Sequence, residues 1–325
     1  MNILFIGDLS SLNNTKFRFI SMTELGYKVE GINIFEYISQ NKFIYWINYR
    51  YQIYIFNYLL LKAINQKLKK KFDLIWVEKG IFIDLSKIKN FFKTPIIHFN
   101  PDNPFGKRND GCWKLFLKNI SKYDYHLTPR FSDTKYYNKL SINKKMHFPF
   151  CYDANVHYPE NIKKDLNVTF IGSNHDNRIS FINELEKIIK IKIIIYSDNW
   201  PKEHMQGVYG ENYRKIINRS KIMINFITDS NFDEYSRRSI EIAACKTFFL
   251  SQKGKIQQKI FRENIETCYF ENPEHCAKLI LKYLKNEKEK LRISNNAFNR
   301  VKKLNLENKF QIKRIIQCVV DKSRS

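Results

Sequence analysis

Short apolar runs that end in glycine or a polar residue, each followed by a segment with apolar positions three and four apart, recur along the chain. MNILFIG reads as a buried strand with a turn at Gly7, NNTKFRFISMTELGYKV as a helix closing on Gly26, and VEGINI as a second strand. The aromatic stretch from Phe43 to Leu61 reads as one long helix. DLIWVEKG is a strand, DLSKIKNFF a short helix and PIIHFN a strand, and DYHLTP and KMHFPF follow as strands around the helical FSDTKYYNKL. Strands that alternate with helices predict a doubly wound parallel sheet with right-handed crossovers.

The segment CYDANVHYPENIKK has no clear period and reads as a linker. The pattern then restarts with the strand LNVTFIG, a helix from Asn177 to Lys190 and the strand IKIIIYS. It runs on through GVYG, the helix NYRKIINRS, the strand KIMINF, the helix RRSIEIAAC and the strands TFFLS and CYFE. From Pro273 the chain is helical, and ENPEHCAKLILKYL starts at an asparagine cap with proline in its first turn. Two similar openings predict two Rossmann-like halves facing each other across a cleft. We place their bounds at 1–158 and 159–304, with a terminal helical segment, 305–325, returning to the first half.

Length and composition agree. A chain of 325 residues with 43% hydrophobic and 15% aromatic residues holds two ordinary cores and is not disordered. The formal charge of +24 is spread among Asn and Ile along the chain, which favours solvated lysine over a nucleic-acid partner, and no RNA or DNA motif accompanies it. The basic C-terminal stretch KFQIKRIIQCVVDKSRS keeps a role at an anionic surface open. Six cysteines, at 112, 151, 245, 268, 276 and 318, form no CxxC pair, as expected of free thiols in a reducing cytoplasm. In the Phe43–Leu61 stretch, Asn48, Arg50, Gln52 and Asn57 argue against a membrane span and for a helix with a wide apolar face; plain core packing is the simpler reading, and tyrosines at an acceptor cleft or a lipid headgroup layer the other.

The chemistry concentrates in NFITDSNFDEYSRRSIEIAA, 225–244. Here a buried strand ends in a polar loop, and the following helix opens with Arg237 and Arg238 and carries Glu241 one turn on. Guanidinium groups at a helix N-terminus favour a phosphate, and a carboxylate accepts from sugar hydroxyls; the simpler reading is an internal Arg–Glu pair. Gly7 and Gly172, with Ser173, stand at strand ends ahead of helices, where free amides receive anions, although neither GDLSSLNN nor GSNHDNR is a dinucleotide or P-loop fingerprint. Histidines lack HxH or HExxH spacing and no DxD stands at a strand end, so a metal is not expected.

The order NVTFIGS, an arginine, YSDNW, GVYGENYRKIINRSKIMINF, RRSIEIAAC, CYFENPE and NAFNRV resembles the nucleotide-sugar-binding half of the CgeB-like glycosyltransferases, relatives of the family 1 and family 4 transferases with the GT-B fold. LFIGDLSS, LGYKV, WVEKG, HFNPDNPF and DYHLTP are similar to that family's acceptor half. The resemblance implies a cytoplasmic transferase that moves a sugar from a UDP- or GDP-type donor to a hydroxyl of a glycan or other acceptor. It implies no further cofactor, and it is compatible with peripheral contact at the inner face of a membrane. Glu241 matches the ribose-binding glutamate, Arg238 sits where a cation meets the diphosphate, and in the GT-B arrangement Arg238 and Arg178 are the candidate cations for the departing diphosphate. Gly172 and Ser173 match the first strand-end loop of the donor half, and Val208, Tyr209 and Gly210 match the segment whose backbone reads the base. Asp233 stands where many relatives have a glutamate near the donor sugar, and Lys246 replaces a usual glycine. Asp102 is the candidate general base, with an Asx turn as its plainer reading, and Asp8 is a second; a retaining reaction needs neither. The alternative is a protein that keeps this fold, has lost transfer and binds a glycan or a membrane surface.

Overall fold

The structure, a computed structural model, describes residues 1–10, 13–88, 94–106, 113–201 and 203–324, with the backbone alone for 322–324. The end of the expected helix DLSKIKNFF, part of the loop GDLSSLNN and Cys112 lie outside the described residues. The chain divides into two compact units, Met1–Pro149 with Gln311–Ser325, and Phe150–Phe310.

The first unit is built on β1 (Asn2–Gly7), α1 (Asn14–Glu24), β2 (Lys28–Asn33), α2 (Lys42–Tyr51), α3 (Tyr54–Lys67), β3 (Leu74–Glu78), β4 (Ile96–Phe99), α4 (Lys114–Asn119), β5 (Tyr125–Thr128), α5 (Thr134–Lys139) and β6 (Lys145–His147). Its strands form one parallel sheet in the order β2-β1-β3-β4-β5-β6. Ile6 pairs with Ile32 on one side and Val77 on the other, so β1 is central and apolar on both faces. α1 starts at Asn13, whose side chain accepts from Lys16 N, and stops at Gly26, which takes the left-handed φ of 83°.

The aromatic stretch is two helices, not one. Gln52 turns left-handed at φ 53° between α2 and α3, where its carboxamide donates to Ile81 O at 2.9 Å and accepts from Leu115 N at 2.5 Å. Asn48 and Asn57 pair their carboxamides at 2.8 and 3.2 Å, both buried. The polar residues that interrupt the apolar run therefore hold the bend between the helices, and much of the apolar side faces out: Phe43, Trp46, Tyr51, Ile55 and Leu59 are all more than half exposed.

The second unit contains β7 (Leu166–Ile171), α6 (Arg178–Ile189), β8 (Ile194–Tyr196), α7 (Gly210–Arg219), β9 (Ser220–Asn225), α8 (Arg237–Ala244), β10 (Phe249–Gln252), α9 (Lys255–Ile260), β11 (Cys268–Phe270), α10 (Pro273–Leu284) and α11 (Glu287–Lys303). Its parallel sheet runs β11-β10-β9-β7-β8. One face packs on Ile240, Ala243, Ala244, Ala297 and Val301, the other on Ile182, Leu185, Ala277 and Ile280. α12 (Asn308–Arg324) closes the chain, and from Gln311 it belongs to the first unit, where Arg314 donates to His147 O at 2.6 Å.

The segment expected as a linker belongs instead to the second unit. Tyr152 N donates to Leu306 O and Asn308 N to Tyr152 O, a bridge that buries Cys151, Tyr152 and Asp153. His157 is buried on the ring edge of Tyr213.

Candidate functional site

In both sheets the first strand has neighbours on either side that leave by opposite crossovers, so each has a topological switch point, between β1 and β3 and between β7 and β9. Ligands of open α/β sheets bind beyond the carboxyl ends of the strands at such points. In the second unit that position holds Gly172 and Ser173 after β7, and the loop and helix α8 after β9.

Asn225, the last residue of β9, positions α8. Its side chain accepts from Ser236 Oγ at 2.8 Å and donates to Ser251 Oγ of β10 at 2.9 Å, while Ser236 N donates to Gln257 Oε1 at 2.9 Å. The helix start is thus fixed to two strands and α9. Ala243 and Ala244, fully buried, let its other end pack closely against α11.

Arg238 projects onto the bare face of Gly172: a Cβ there would lie 2.9 Å from its Nη1. Arg178, at the start of α6, donates to Ser173 O at 3.2 Å and Thr228 Oγ1 at 2.9 Å. Burial, then the charge of Arg238, hold Arg178 down to about 10, against the opposing pull of Asp176, Asp233 and Asp229. Nε of Arg178 and Nε of Arg238 are both buried without a hydrogen-bond partner. Two cations within each other's field and with unmet N–H groups have the chemistry to receive an anion.

Glu241 lies one turn along α8, 5% exposed. It accepts from Tyr213 Oη at 2.7 Å and pairs with Arg237 Nε at 3.2 Å, so the internal Arg–Glu pair is made, and its arginine is Arg237. Burial alone would raise this carboxyl; Arg237, His157, the Tyr213 hydroxyl and Arg238 together bring it below the usual carboxylate range. Arg237 in turn extends over the Phe150 ring, 6.0 Å from its centroid.

Tyr209 is exposed, donates its hydroxyl to Asp198 and lies within the field of Arg238. Val208 lines a neighbouring groove of about 560 Å³ with Glu160, Lys215 and Ile216, and Gly210 opens α7 at φ 53°. Asp233 accepts from Asn231 Nδ2 at 3.0 Å in the turn before α8, within the field of Arg178. The structure therefore links Gly172, Ser173, Arg178, Tyr209, Asp233, Arg237, Arg238 and Glu241 by contact or by electrostatic field beyond the ends of β7 and β9. It adds Tyr213, His157 and Thr228, none of which stands out in the sequence.

Asp102 and Asp8 belong to the first unit. Asp102 follows β4, its carboxylate 2.7 Å from Lys79 Nζ, and the Asx turn at this point is made by Asn100, which accepts from Asp102 N at 3.1 Å. The fully buried Arg130 donates to Pro101 O, and Asp133 accepts from Asn103 Nδ2 at 3.0 Å, so a buried ion pair fixes this loop. Asp8 follows β1 and accepts from Ser10 N at 3.1 Å and Asn13 Nδ2 at 2.7 Å, contacts that shape the turn into α1. Among the described residues no cluster of His, Cys, Asp and Glu is arranged to hold a metal ion.

Two parallel-sheet Rossmann-like domains with this strand order define the GT-B fold. Residues 178–309 match the family model described as glycosyl transferase-like, which spans less than half of the chain. Among solved structures the chain is similar to sucrose-phosphate synthase from Thermosynechococcus elongatus, with a TM-score of 0.71 at 11% identity over 99% of both chains. It is also similar to Anabaena HepE in complex with UDP-glucose, with a TM-score of 0.69 at 8% identity over 99% of this chain and 100% of that one. A glycosyltransferase from Rickettsia africae follows at a TM-score of 0.62 and 12% identity, over 98% and 97%. No curated protein sequence matches the chain.

Proposed function

We propose that the protein is a glycosyltransferase that takes a sugar from a nucleoside-diphosphate donor bound by the second unit. The observation that carries this reading is the convergence of Arg178 and Arg238, with unpartnered Nε atoms, beside Gly172 at the switch point of the sheet. A diphosphate there meets two guanidinium groups and the N-terminus of α8, and the same groups stabilise it as a leaving group. The charge is met by side chains, so turnover is expected to survive EDTA. Glu241, one turn further along α8, accepts from the ribose hydroxyls once Arg237 turns outward, and the backbone around Val208 and Tyr209 contacts the base. Asp233 faces the donor sugar. The family match over 178–309 and the fold shared with the UDP-glucose complex of HepE support the assignment.

The acceptor hydroxyl falls to the first unit. Asp102 is the proposed base, oriented by Lys79 and by the loop that Arg130 and Asp133 hold, with Asp8 as the second candidate at the switch point between β1 and β3.

Thermal unfolding with a panel of nucleoside diphosphates tests the donor site. A ligand at about a hundred times its dissociation constant stabilises by roughly 2.7 kcal/mol, a shift of a few degrees in a chain of this size. UDP or GDP should produce that shift, and no response to any nucleotide refutes the reading. Asp102→Asn should keep the shift and abolish transfer; full transfer by that variant removes Asp102 from the mechanism.

A further inference from the structure

The bend between α2 and α3 is built inside out. Asn48, Gln52 and Asn57 are buried and bonded to one another or to backbone, whereas Phe43, Trp46, Tyr51, Ile55, Tyr58 and Leu59 are between 45% and 69% exposed. Ordinary water-facing helices show the reverse. Scattered exposed apolar residues are normal, but a contiguous group on adjoining helices marks an interaction site. The segment 42–62 contains Lys42, Arg50 and Lys62 and no acidic residue, and Lys67, Lys69, Lys70 and Lys71 follow it. Lys87 adds a further ammonium 5.9 Å over the Tyr54 ring. Glu30, held by Lys67 and Lys70 at 2.7 and 2.8 Å, neutralises part of that run.

We infer that this bend is a docking surface for an anionic lipid bilayer. Tyrosine and tryptophan pair an apolar body with a polar edge, the chemistry of the headgroup layer, and flanking lysines meet acidic headgroups. α2 and α3 have 10 and 14 residues, and no helix among the described residues is long and apolar enough to cross a membrane, so the contact lies in the interface plane. A protein partner or a second copy of the chain would bury the same aromatics, but neither calls for an acid-free segment rimmed by lysine. The surface belongs to the first unit and does not depend on the donor site.

The protein carries its own reporter. Of its four tryptophans, Trp76, Trp113 and Trp200 are buried and Trp46 alone is exposed. Vesicles of phosphatidylcholine mixed with phosphatidylglycerol should shift the emission of the unmodified protein to the blue and carry it into the pellet. Phosphatidylcholine alone should do neither. Trp46→Ser combined with Ile55→Ser should weaken sedimentation about tenfold or more, and Lys42→Glu combined with Lys62→Glu should reduce its salt-sensitive part. No emission shift with anionic vesicles, equal binding to neutral ones, or a dimer in light scattering that the Trp46→Ser, Ile55→Ser protein loses would each overturn the inference.

Discussion

Gly172 and Arg238 occupy one space: a methyl on the Gly172 Cα would sit 2.9 Å from Arg238 Nη1 and 3.0 Å from Phe170 Cζ, at a backbone φ of 154°. An added side chain must strain the loop and push the guanidinium away. Gly172→Ala should therefore weaken nucleoside-diphosphate binding about tenfold or more, roughly 1.4 kcal/mol. Titration calorimetry on the two proteins measures this. Unchanged affinity would mean that Arg238 does not meet the ligand from where it now rests.

Like charges at Arg178 and Arg238 are an expense of the ligand-free fold. Burial and then Arg238 depress Arg178 to about 10, so removing the second cation relieves repulsion. Arg238→Met, which keeps the apolar stem, should unfold at the same temperature as the parent or higher and bind nucleoside diphosphate at least tenfold more weakly. A variant that loses stability and binding together would assign Arg238 a structural role.

Glu241 gives a pH signature. Its folded value lies below the usual carboxylate range, so its contribution is complete above an unfolded value near about 4.3 and is lost as pH falls through the folded value. Glu241→Gln should be about 1–2 kcal/mol less stable near neutrality, where Arg237 is left facing an amide. The gap between the two proteins in urea midpoint should narrow as the pH drops below about 4. A gap that stays constant across that range contradicts the ion pair.

Lys246 takes φ 56°, the left-handed conformation a glycine would adopt, and is exposed. The turn after α8 is thus left-handed although no glycine stands there. Left-handed backbone costs an ordinary residue about 1–2 kcal/mol, offset by the larger entropy glycine loses on folding. Lys246→Gly should raise stability by up to about 1 kcal/mol, read as a rise of a few degrees in Tm. A fall would show that the lysine side chain contributes more than its backbone costs.

Strands such as ILFIG and KIMIN are legible because a parallel strand covered on both faces must be apolar throughout. The start of α10 is legible too, since Asn272 caps it and Pro273 fits its first turn. The bend at Gln52 is not, because its partners Ile81 and Leu115 stand 29 and 63 residues away. α4 and α9, six residues each, are too short to show a helical period. The same limit applies at the candidate site. Arg238 and Gly172 each stand out by residue type and position, but their contact is made only when β7 and β9 pair. Tyr213 and His157 carry no local signal and draw their place from burial around Glu241.

A buried histidine pair contributes to the acid sensitivity of the first unit. His98 and His126 are wholly buried, with Nε2 of His98 3.0 Å from Lys79 O and Nε2 of His126 2.8 Å from Ile120 O. Both Nε2 atoms face carbonyls and must donate, so the neutral rings present bare Nδ1 atoms to each other at 3.4 Å. Burial depresses both, His98 well below its ordinary value, with the field of His126 adding to it, and His126 to about 4. With folded values below the unfolded value near about 6.5, the unfolded chain takes up protons that the folded one refuses. Stability is then complete above about 6.5 and declines as the pH falls toward the folded values, by at most roughly 1.4 kcal/mol per pH unit for each ring. His126→Gln retains a donor for Ile120 O and removes one titrating group. His147 and His157 are depressed as well and keep their share of the slope, so the urea midpoint of this variant should change with pH measurably less steeply between about pH 6 and pH 4.5. An equal slope in the two proteins would place the acid sensitivity elsewhere.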